Sequence, residues 1–194
     1  MYWVSISSPL FLESMVLFDS KNKGRAYTIL RDPIERAVSH FHHLKKIKDP
    51  RVDKMTIDSY ASSSNPTLVE NKWMVRYLSG KIEGELTSNH LEIAKNILQK
   101  KFVIGLHENM SNSMRRFEDY YGVVYKNSKA GCKSKGLKST KKEDAFVSKE
   151  CIKLRKETIS LLEQQNELDL ELLIFGKELY KQQGILFSMI PKSN

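Results

Sequence analysis

A short apolar run leads directly into a capped amphipathic stretch between residues 25 and 46, and this junction constrains the fold more than any other feature. Residues 25–31 (RAYTILR) are rich in β-branched and aromatic side chains and short enough for one buried strand. Asp32 is a favourable helix N-cap, and Pro33 suits the first helical position because its missing N–H leaves no bond unmade. Apolar residues then recur at helical spacing through about Lys46, namely Ile34, Ala37, Val38, Phe41 and Leu44. The pattern predicts a strand that runs into a helix.

A second unit of the same kind follows later in the chain. Apolar spacing predicts a helix that opens near Thr87 or Ser88, and residues 102–106 (FVIGL) predict a second buried strand. The next helix ends at Gly122 and is marked by Met110, Met114, Phe117 and Tyr121. Alternating strands and helices imply an α/β layer with a parallel sheet, although only two strands can be identified.

The remaining patterns are helical or polar. A short helix is predicted at residues 56–61, a loop at 62–66, and a helix at 71–78 that is closed by Ser79 and Gly80. Ser148 is a suitable cap for a helix that reaches about Gln164. A last helix is striped by Leu168, Leu172, Phe175 and Leu179. The C-terminal half is therefore predicted to be rich in helix.

Composition and charge favour a folded protein with an anionic partner. The 194 residues suffice for one domain, and 40% are hydrophobic against 28% charged, the balance of a globular protein. No apolar run approaches the roughly 20 residues of a membrane-spanning helix. The net charge of +9 favours an acidic partner, and seven lysines without an acidic residue lie between Lys126 and Lys142. Specific nucleic-acid binding is disfavoured because aromatics are not interleaved with the basic residues.

The strand-to-helix junction combines three kinds of anion-binding group. The helix N-terminus offers unpaired N–H groups and the positive end of a dipole. Arg31 at the strand end can grip a phosphate through two hydrogen bonds, and Ser39, two turns into the helix, can donate its hydroxyl. Ligands of open α/β sheets bind at the carboxyl ends of strands, which suits a nucleotide. The alternative is that Arg31 pairs with a core carboxylate while Ser39 is a solvated helix residue.

Four ordered segments carry a family resemblance. TILRDPIERAVSHF at residues 28–41 resembles the 3′-phosphate-binding motif of enzymes that use 3′-phosphoadenosine 5′-phosphosulfate (PAPS). Three later segments resemble Golgi-type carbohydrate sulfotransferases and related algal and protist proteins: NKWMVRYLSG (71–80), LEIAKNILQKKFVIGLHENMSNSMRRFEDYYG (91–122) and NELDLELLIFGKELYKQQ (166–183). The resemblance covers most of the chain after Arg25.

The resemblance implies that Arg31 and Ser39 bind the 3′-phosphate of PAPS, since the family places an arginine at the strand end and a serine eight residues later. It implies a P-loop-NTPase-like sulfotransferase fold, α/β with a parallel sheet flanked by helices, N-terminally truncated in this chain. The implied activity is transfer of a sulfuryl group from PAPS to a hydroxyl or amine of an acceptor, a carbohydrate in the first place. No metal is implied.

The resemblance also implies a division of the chain and a location. Residues 1–24 form an N-terminal segment of unassigned structure, residues 25–187 form the sulfotransferase-like domain, and residues 188–194 form a tail. The basic loop at residues 125–144 lies within the domain. The implied location is the Golgi lumen, with the membrane anchor outside this chain, while a cytoplasmic location stays open.

The sequence departs from the family at one point. Members carry an upstream Lys-x-Gly-Thr-type loop that cradles the 5′-phosphosulfate, and nothing in residues 1–24 matches it. The catalytic base of related enzymes often comes from that same region, so no catalytic residue is assigned. The alternative function is a non-catalytic, sulfotransferase-like protein that binds a nucleotide or an anionic glycan.

Several other residues have a functional and a structural interpretation. The candidate bases are His40, His42, His43 and the His107-Glu108 pair, for which structural roles are favoured. Lysines 133, 135 and 138 either reach a cofactor phosphate or belong to a solvated loop. Trp73 and Met74 suit a core or a cleft wall, and Asn109 begins a glycosylation sequon or caps a helix. The two cysteines, Cys132 and Cys151, form one pair or two thiols.

Overall fold

The strand and the helix of the junction form where the sequence predicts them. The computed structural model describes residues 15, 26–63, 65, 68–69, 71–121, 151 and 153–189. The strands are β1 (Ala26–Leu30) and β2 (Phe102–Leu106). The helices are α1 (Pro33–Lys46), α2 (Ile57–Ala61), α3 (Trp73–Ser79), α4 (Ser88–Lys101), α5 (Met110–Tyr121), α6 (Lys156–Gln165) and α7 (Glu167–Met189), with a 3-10 turn at His107–Asn109.

The described residues form a mixed α/β fold that is mostly helical. β1 and β2 pair in parallel, with Ala26 opposite Phe102 and Leu30 opposite Leu106. The predicted α/β class and the parallel sheet are therefore confirmed, and within the described residues the sheet has two strands. No helix in the described ranges has the length and apolarity needed to cross a membrane.

The chain contacts divide into two compact units that are each assembled from separated stretches. The first, called the sheet unit, contains the described residues of 1–30, 72–117 and 168–194. The second, called the junction unit, contains the described residues of 31–71 and 118–167. Each unit has its own apolar cluster, so each is described by itself.

The core of the sheet unit is built from both strands and from helices α3, α4 and α7. Ile104, Leu98 and Leu172 are fully buried in this cluster. Met74 is buried there and Trp73 packs against it, so these two residues are core residues. Residues 103–106 of β2 are buried, because a strand with apolar side chains on both faces needs helices to exclude water, whereas in β1 only Leu30 is buried.

Side chains close the edge of β2 that does not face β1. The Gln183 amide of α7 donates to Phe102 O at 2.8 Å and accepts from Ile104 N at 2.9 Å, as a neighbouring strand would. Ser113, fully buried on α5, accepts from Leu106 N at 2.8 Å through its hydroxyl. An edge strand with unpaired N–H groups is a site for unwanted pairing. Gln183 and Ser113 therefore end the sheet at β2.

Gly176 lets α7 lie directly on the end of β1. A Cβ built on Gly176 would overlap Leu30 Cδ1, whereas Leu30 Cγ would stand at 3.7 Å. Leu30 is itself 3% exposed, so it has little room to move. A glycine inside a helix normally lowers stability relative to alanine by about 1 kcal/mol. Here the close approach of helix and strand requires it.

The junction unit packs α1 against α2 and the segment between them. Its cluster contains Phe41, Leu44, Val52, Tyr60, Leu68 and Val69. The Tyr60 hydroxyl donates to Leu68 O at 3.2 Å and is 3.1 Å from His40 Nδ1, so this buried phenol has polar partners on both sides. The predicted helices α1 and α2 are confirmed, and the cap of α2 is Thr56.

Asp58 joins α2 to the beginning of α6. Its carboxylate accepts a hydrogen bond from the Thr158 hydroxyl and forms an ion pair with Arg155 at 2.6 Å. The predicted continuous helix from Ser148 to about Gln164 is wrong in this region, because residues 153–155 are not helical and α6 begins at Lys156. Arg155 has extended backbone angles, and its guanidinium is held at Asp58. Ser148 itself lies outside the described residues.

The Gly176 contact predicts that the effect of Gly176→Ala on the free energy of unfolding depends on the residue at position 30. We expect Gly176→Ala to lower the free energy of unfolding by about 1–2 kcal/mol, because overpacking outweighs the helix propensity of alanine. In a Leu30→Val background, which lacks Cδ1, the same substitution should instead raise stability by about 1 kcal/mol. Urea unfolding of the four variants measures this cycle. Stabilisation by Gly176→Ala in the wild-type background would contradict the contact.

Asp58 predicts a pH-dependent stability. The Thr158 hydroxyl first, and then Arg155, lower the pKa of Asp58. A carboxyl with a lowered folded-state pKa stabilises the protein above its unfolded pKa of about 4, and this contribution is lost as the pH falls through the folded value. We expect the difference in urea midpoint between wild type and Asp58→Asn to be constant near pH 6 and to shrink below about pH 4.

Thr158→Val provides the matched control for this measurement. It removes the hydroxyl that lowers the Asp58 pKa most, so the loss of stability on acidification should be smaller than in wild type and complete at a higher pH. A wild type and an Asp58→Asn variant that lose stability in parallel from pH 6 to pH 3 would show that Asp58 contributes nothing of this kind.

Candidate functional site

The first turn of α1 is held by its own cap residue. Asp32 Oδ1 accepts from Ile34 N at 2.8 Å and from Glu35 N at 3.1 Å. Arg36 N donates to Asp32 O at 2.9 Å, and Pro33 has no N–H to offer. The first turn therefore has no unpaired backbone donor.

The hydrogen bonds of the first turn correct one part of the predicted site. The sequence predicted unpaired N–H groups at this helix end, and that prediction is wrong because the Asp32 carboxylate takes the two donors that would face an anion. Asp32 also places a negative charge at the positive end of the helix dipole. Anion binding at the junction then depends on side chains rather than on the backbone.

Arg31 is the residue between β1 and the cap. Its side chain is 20% exposed, and its Nε is a buried donor without a hydrogen-bond partner in the described part of the chain. The Glu35 carboxylate lies 3.8 Å from that nitrogen, too far for a hydrogen bond. A buried guanidinium nitrogen that lacks an acceptor costs free energy. Arg31 is thus the group at this end of the helix that most needs an anion.

Two of the alternatives left open by the sequence can now be compared with the structure. The carboxylate beside Arg31 belongs to Glu35, whose side chain is 36% exposed, so it is not a core carboxylate. From the sequence alone, Glu35 and Arg36 are predicted to form a solvated pair or to brace the loop. The ion pair of Glu35 is with Arg31, the residue before the cap Asp32.

Ser39 lies on the polar side of α1. It is half-buried, and its hydroxyl makes no hydrogen bond to any residue that the structure describes. At about 100° per residue, Ser39 is turned about 160° away from the buried Phe41. It follows Glu35 by four residues, so the two share one side of the helix. Arg31 precedes the helix, and its ion pair with Glu35 places it beside these two residues. Arg31, Glu35 and Ser39 are called the junction row, in which Arg31 and Ser39 are the phosphate ligands expected from the sequence.

The candidate histidines of α1 have other surroundings. His40 Nδ1 is 3.1 Å from the Tyr60 hydroxyl, and its ring meets the Tyr60 ring edge to face. His43 is exposed in the last turn, where a basic residue suits the helix dipole. His42 contacts the Phe41 ring and helps to line a groove of about 310 Å³. These contacts agree with the structural roles that were favoured for the three residues.

That groove lies on the apolar side of α1 rather than along the junction row. Its walls are Val38, Phe41, His42, Lys45, Met55, Thr56, Ile57 and Leu154. The Lys45 ammonium donates to Asp53 O at 2.7 Å and lies 5.6 Å from the centre of the Phe41 ring. The cation of the groove is therefore already engaged within the unit.

Candidates in the sheet unit also have structural contacts. Glu108 pairs with Lys177 at 3.0 Å, and Asn109 accepts a hydrogen bond from Asn112 at 2.9 Å, within the first turn of α5. Lysines 133, 135 and 138 lie outside the described residues, as does Cys132, for which a pair with Cys151 and a separate thiol were both left open. The described part of the chain contains no group of His, Cys, Asp or Glu side chains that could hold a metal ion.

Sequence reasoning missed the two acidic residues that define this site. The sequence predicts Asp32 as a cap, and a cap of this kind also occupies the backbone N–H groups that an anion would need. Glu35 was not identified as the neighbour of Arg31, although the four-residue spacing between them is the signal for such a pair. The comparisons add no further assignment: the chain matches no known protein family, no functionally described protein and no solved structure.

The cap of α1 predicts different effects for two substitutions of Asp32. We expect Asp32→Ala to lower the free energy of unfolding by about 1 kcal/mol, because two backbone donors lose their acceptor. Asp32→Asn keeps a carbonyl oxygen at the cap and should lower it by only a few tenths of a kcal/mol. Urea unfolding measures both variants. Equal losses for the two would show that the charge, and not the capping geometry, stabilises this helix end.

Proposed function

We propose that this chain binds PAPS at the junction row and transfers its sulfuryl group to a hydroxyl or amine of an acceptor, with a carbohydrate as the acceptor class. The observation that carries the proposal is the buried Arg31 Nε, which lacks an acceptor at the position where the sequence resembles a 3′-phosphate site. The P-loop-NTPase-like sulfotransferase fold and a Golgi location are part of the same proposal. They rest on the four sequence segments that resemble the family.

The residues of the junction row fit a phosphate group. Arg31 presents a planar guanidinium that can make two parallel hydrogen bonds to phosphate oxygens. The Ser39 hydroxyl, which has no partner among the described residues, donates a further bond. Asp32 contributes indirectly, because it fixes the start of α1 and with it the backbone from which Arg31 extends.

The chemistry of the proposal divides between cofactor and protein. PAPS supplies an activated sulfuryl group when it is bound. The protein holds the 3′-phosphate with Arg31 and Ser39, and this fixes the orientation of the cofactor relative to the acceptor. Such positioning is a large part of catalysis in group transfer. A general base is not assigned, since His40 and Glu108 are engaged in the contacts described above.

The test is a binding measurement with PAP, the product that remains after sulfuryl transfer. We expect isothermal titration to show binding to wild type, a loss of about 100-fold in Arg31→Ala and a loss of about tenfold in Ser39→Ala. Arg31→Lys should recover only part of the affinity, because an ammonium cannot make the paired bonds.

Arg51→Ala is the matched control for these variants. Arg51 is an arginine of the same unit that forms an ion pair with Asp49 at 2.6 Å on the surface. Its removal lowers the net charge by the same amount without touching the junction row, so PAP affinity should stay within about twofold. Equal losses of PAP affinity in Arg31→Ala and Arg51→Ala would show that PAP is attracted by the net charge alone and not by a specific site. Absence of PAP binding to folded wild-type protein would refute the cofactor site.

A second function uses the same junction row without the transfer step. Residues 1–24 contain no match to the Lys-x-Gly-Thr-type loop that cradles the 5′-phosphosulfate in the family. On this alternative, the chain binds a nucleotide or an anionic glycan through the same row without transferring sulfate. Incubation with PAPS labelled in its sulfate and a panel of glycans separates the two, because any labelled glycan product excludes the alternative.

A further inference from the structure

Glu35 lies between the two side chains that are proposed to hold the phosphate. Glu35 and Ser39 share one side of α1 at a spacing of four residues, and Arg31, which precedes the helix, lies 3.8 Å from the Glu35 carboxylate. Helical side chains lean toward the helix N-terminus, so the Ser39 hydroxyl lies over the turn that carries Glu35. An anion held by Arg31 and Ser39 together therefore lies beside the Glu35 carboxylate.

A carboxylate in that position repels a bare phosphate but attracts a hydroxyl donor. The Glu35 side chain is 36% exposed, and at 3.8 Å from Arg31 Nε it is too far to accept a hydrogen bond from that nitrogen. Its oxygens are acceptors only, and a hydrogen bond from a neutral hydroxyl to a carboxylate is stronger than one between neutral groups. The ligand that satisfies the whole row carries a phosphate and, on the neighbouring carbon, a hydroxyl.

We propose that Glu35 accepts a hydrogen bond from the 2′-hydroxyl of a ribonucleoside 3′-phosphate. The phosphate of such a ligand engages Arg31 and Ser39, while the adjacent hydroxyl engages the carboxylate between them. Glu35 thereby selects ribonucleotides over 2′-deoxyribonucleotides, whose phosphate meets the same negative charge without the compensating bond. This inference rests on the proposed function, because both concern the same phosphate site.

The test compares two ligands that differ by one oxygen atom. Isothermal titration with PAP and with its 2′-deoxy analogue is carried out on wild type, Glu35→Ala and Glu35→Gln. We expect wild type to bind PAP about tenfold more tightly than the deoxy analogue. Glu35→Ala should bind both ligands equally, and the deoxy analogue several-fold more tightly than wild type does, because the repulsion is gone. Glu35→Gln keeps an acceptor and should retain part of the preference for PAP.

Glu92→Ala serves as the control for removal of an exposed, paired glutamate. Glu92 forms a surface ion pair with Lys95 at 2.8 Å on α4, and its removal should leave both affinities unchanged. Equal affinity of wild type for the two ligands, with both raised alike in Glu35→Gln, would overturn the inference and reduce Glu35 to a counter-ion of Arg31. In that case the loss of binding in Arg31→Ala still supports the proposed function. If neither ligand binds wild type at millimolar concentration, both proposals fail.

Discussion

The sheet unit depends on two hydrogen bonds that the Asp169 carboxylate accepts. Asp169 is fully buried on α7, and its two oxygens accept hydrogen bonds at 2.9 Å from Met74 N and Val75 N at the start of α3. The residue before α3, Lys72, has a positive φ of 56° and provides no side-chain cap. The donors of α3 are therefore satisfied across the fold instead of locally. Without that carboxylate, buried N–H groups would each cost about 1–3 kcal/mol.

The same helix also satisfies the backbone of the sheet. Gln183 lies about four turns beyond Asp169 on α7 and pairs with the open edge of β2. Between them, Gly176 brings the helix against the end of β1, immediately before Arg31. One helix thus fixes the start of α3, the edge of β2 and the carboxyl end of β1.

Local elements could be predicted from the sequence because their causes are local. The cap at Asp32, the proline at Pro33 and the apolar spacing after them lie within 15 residues, and α1 forms as expected. The role of Asp169 could not be predicted, since in the sequence it is one polar residue within an apolar helical stripe. The break before α6 was also missed, and the residues at this break contact Asp58, about 100 residues earlier in the sequence. Helix propensity depends on residues that are close in the sequence, whereas Asp169 and Asp58 contact residues that are far away in the sequence.

The candidate site also combines features that the local sequence predicts with features that depend on the fold. Residue type and spacing were enough to single out Arg31 and Ser39, but the availability of a donor depends on which acceptors the fold has already placed beside it. At α1 the cap consumes the backbone donors, and this changes what the site can recognise. Backbone N–H groups bind an anion whatever substituent stands next to it. A row of arginine, glutamate and serine side chains combines a cation, an acceptor and a donor, so the proposed phosphate site would distinguish ligands by the groups that surround the phosphate. Because Asp32 occupies the backbone donors, the proposed site relies on side chains, and a site built from side chains is more selective than one built from backbone donors, at the cost of affinity for anions in general.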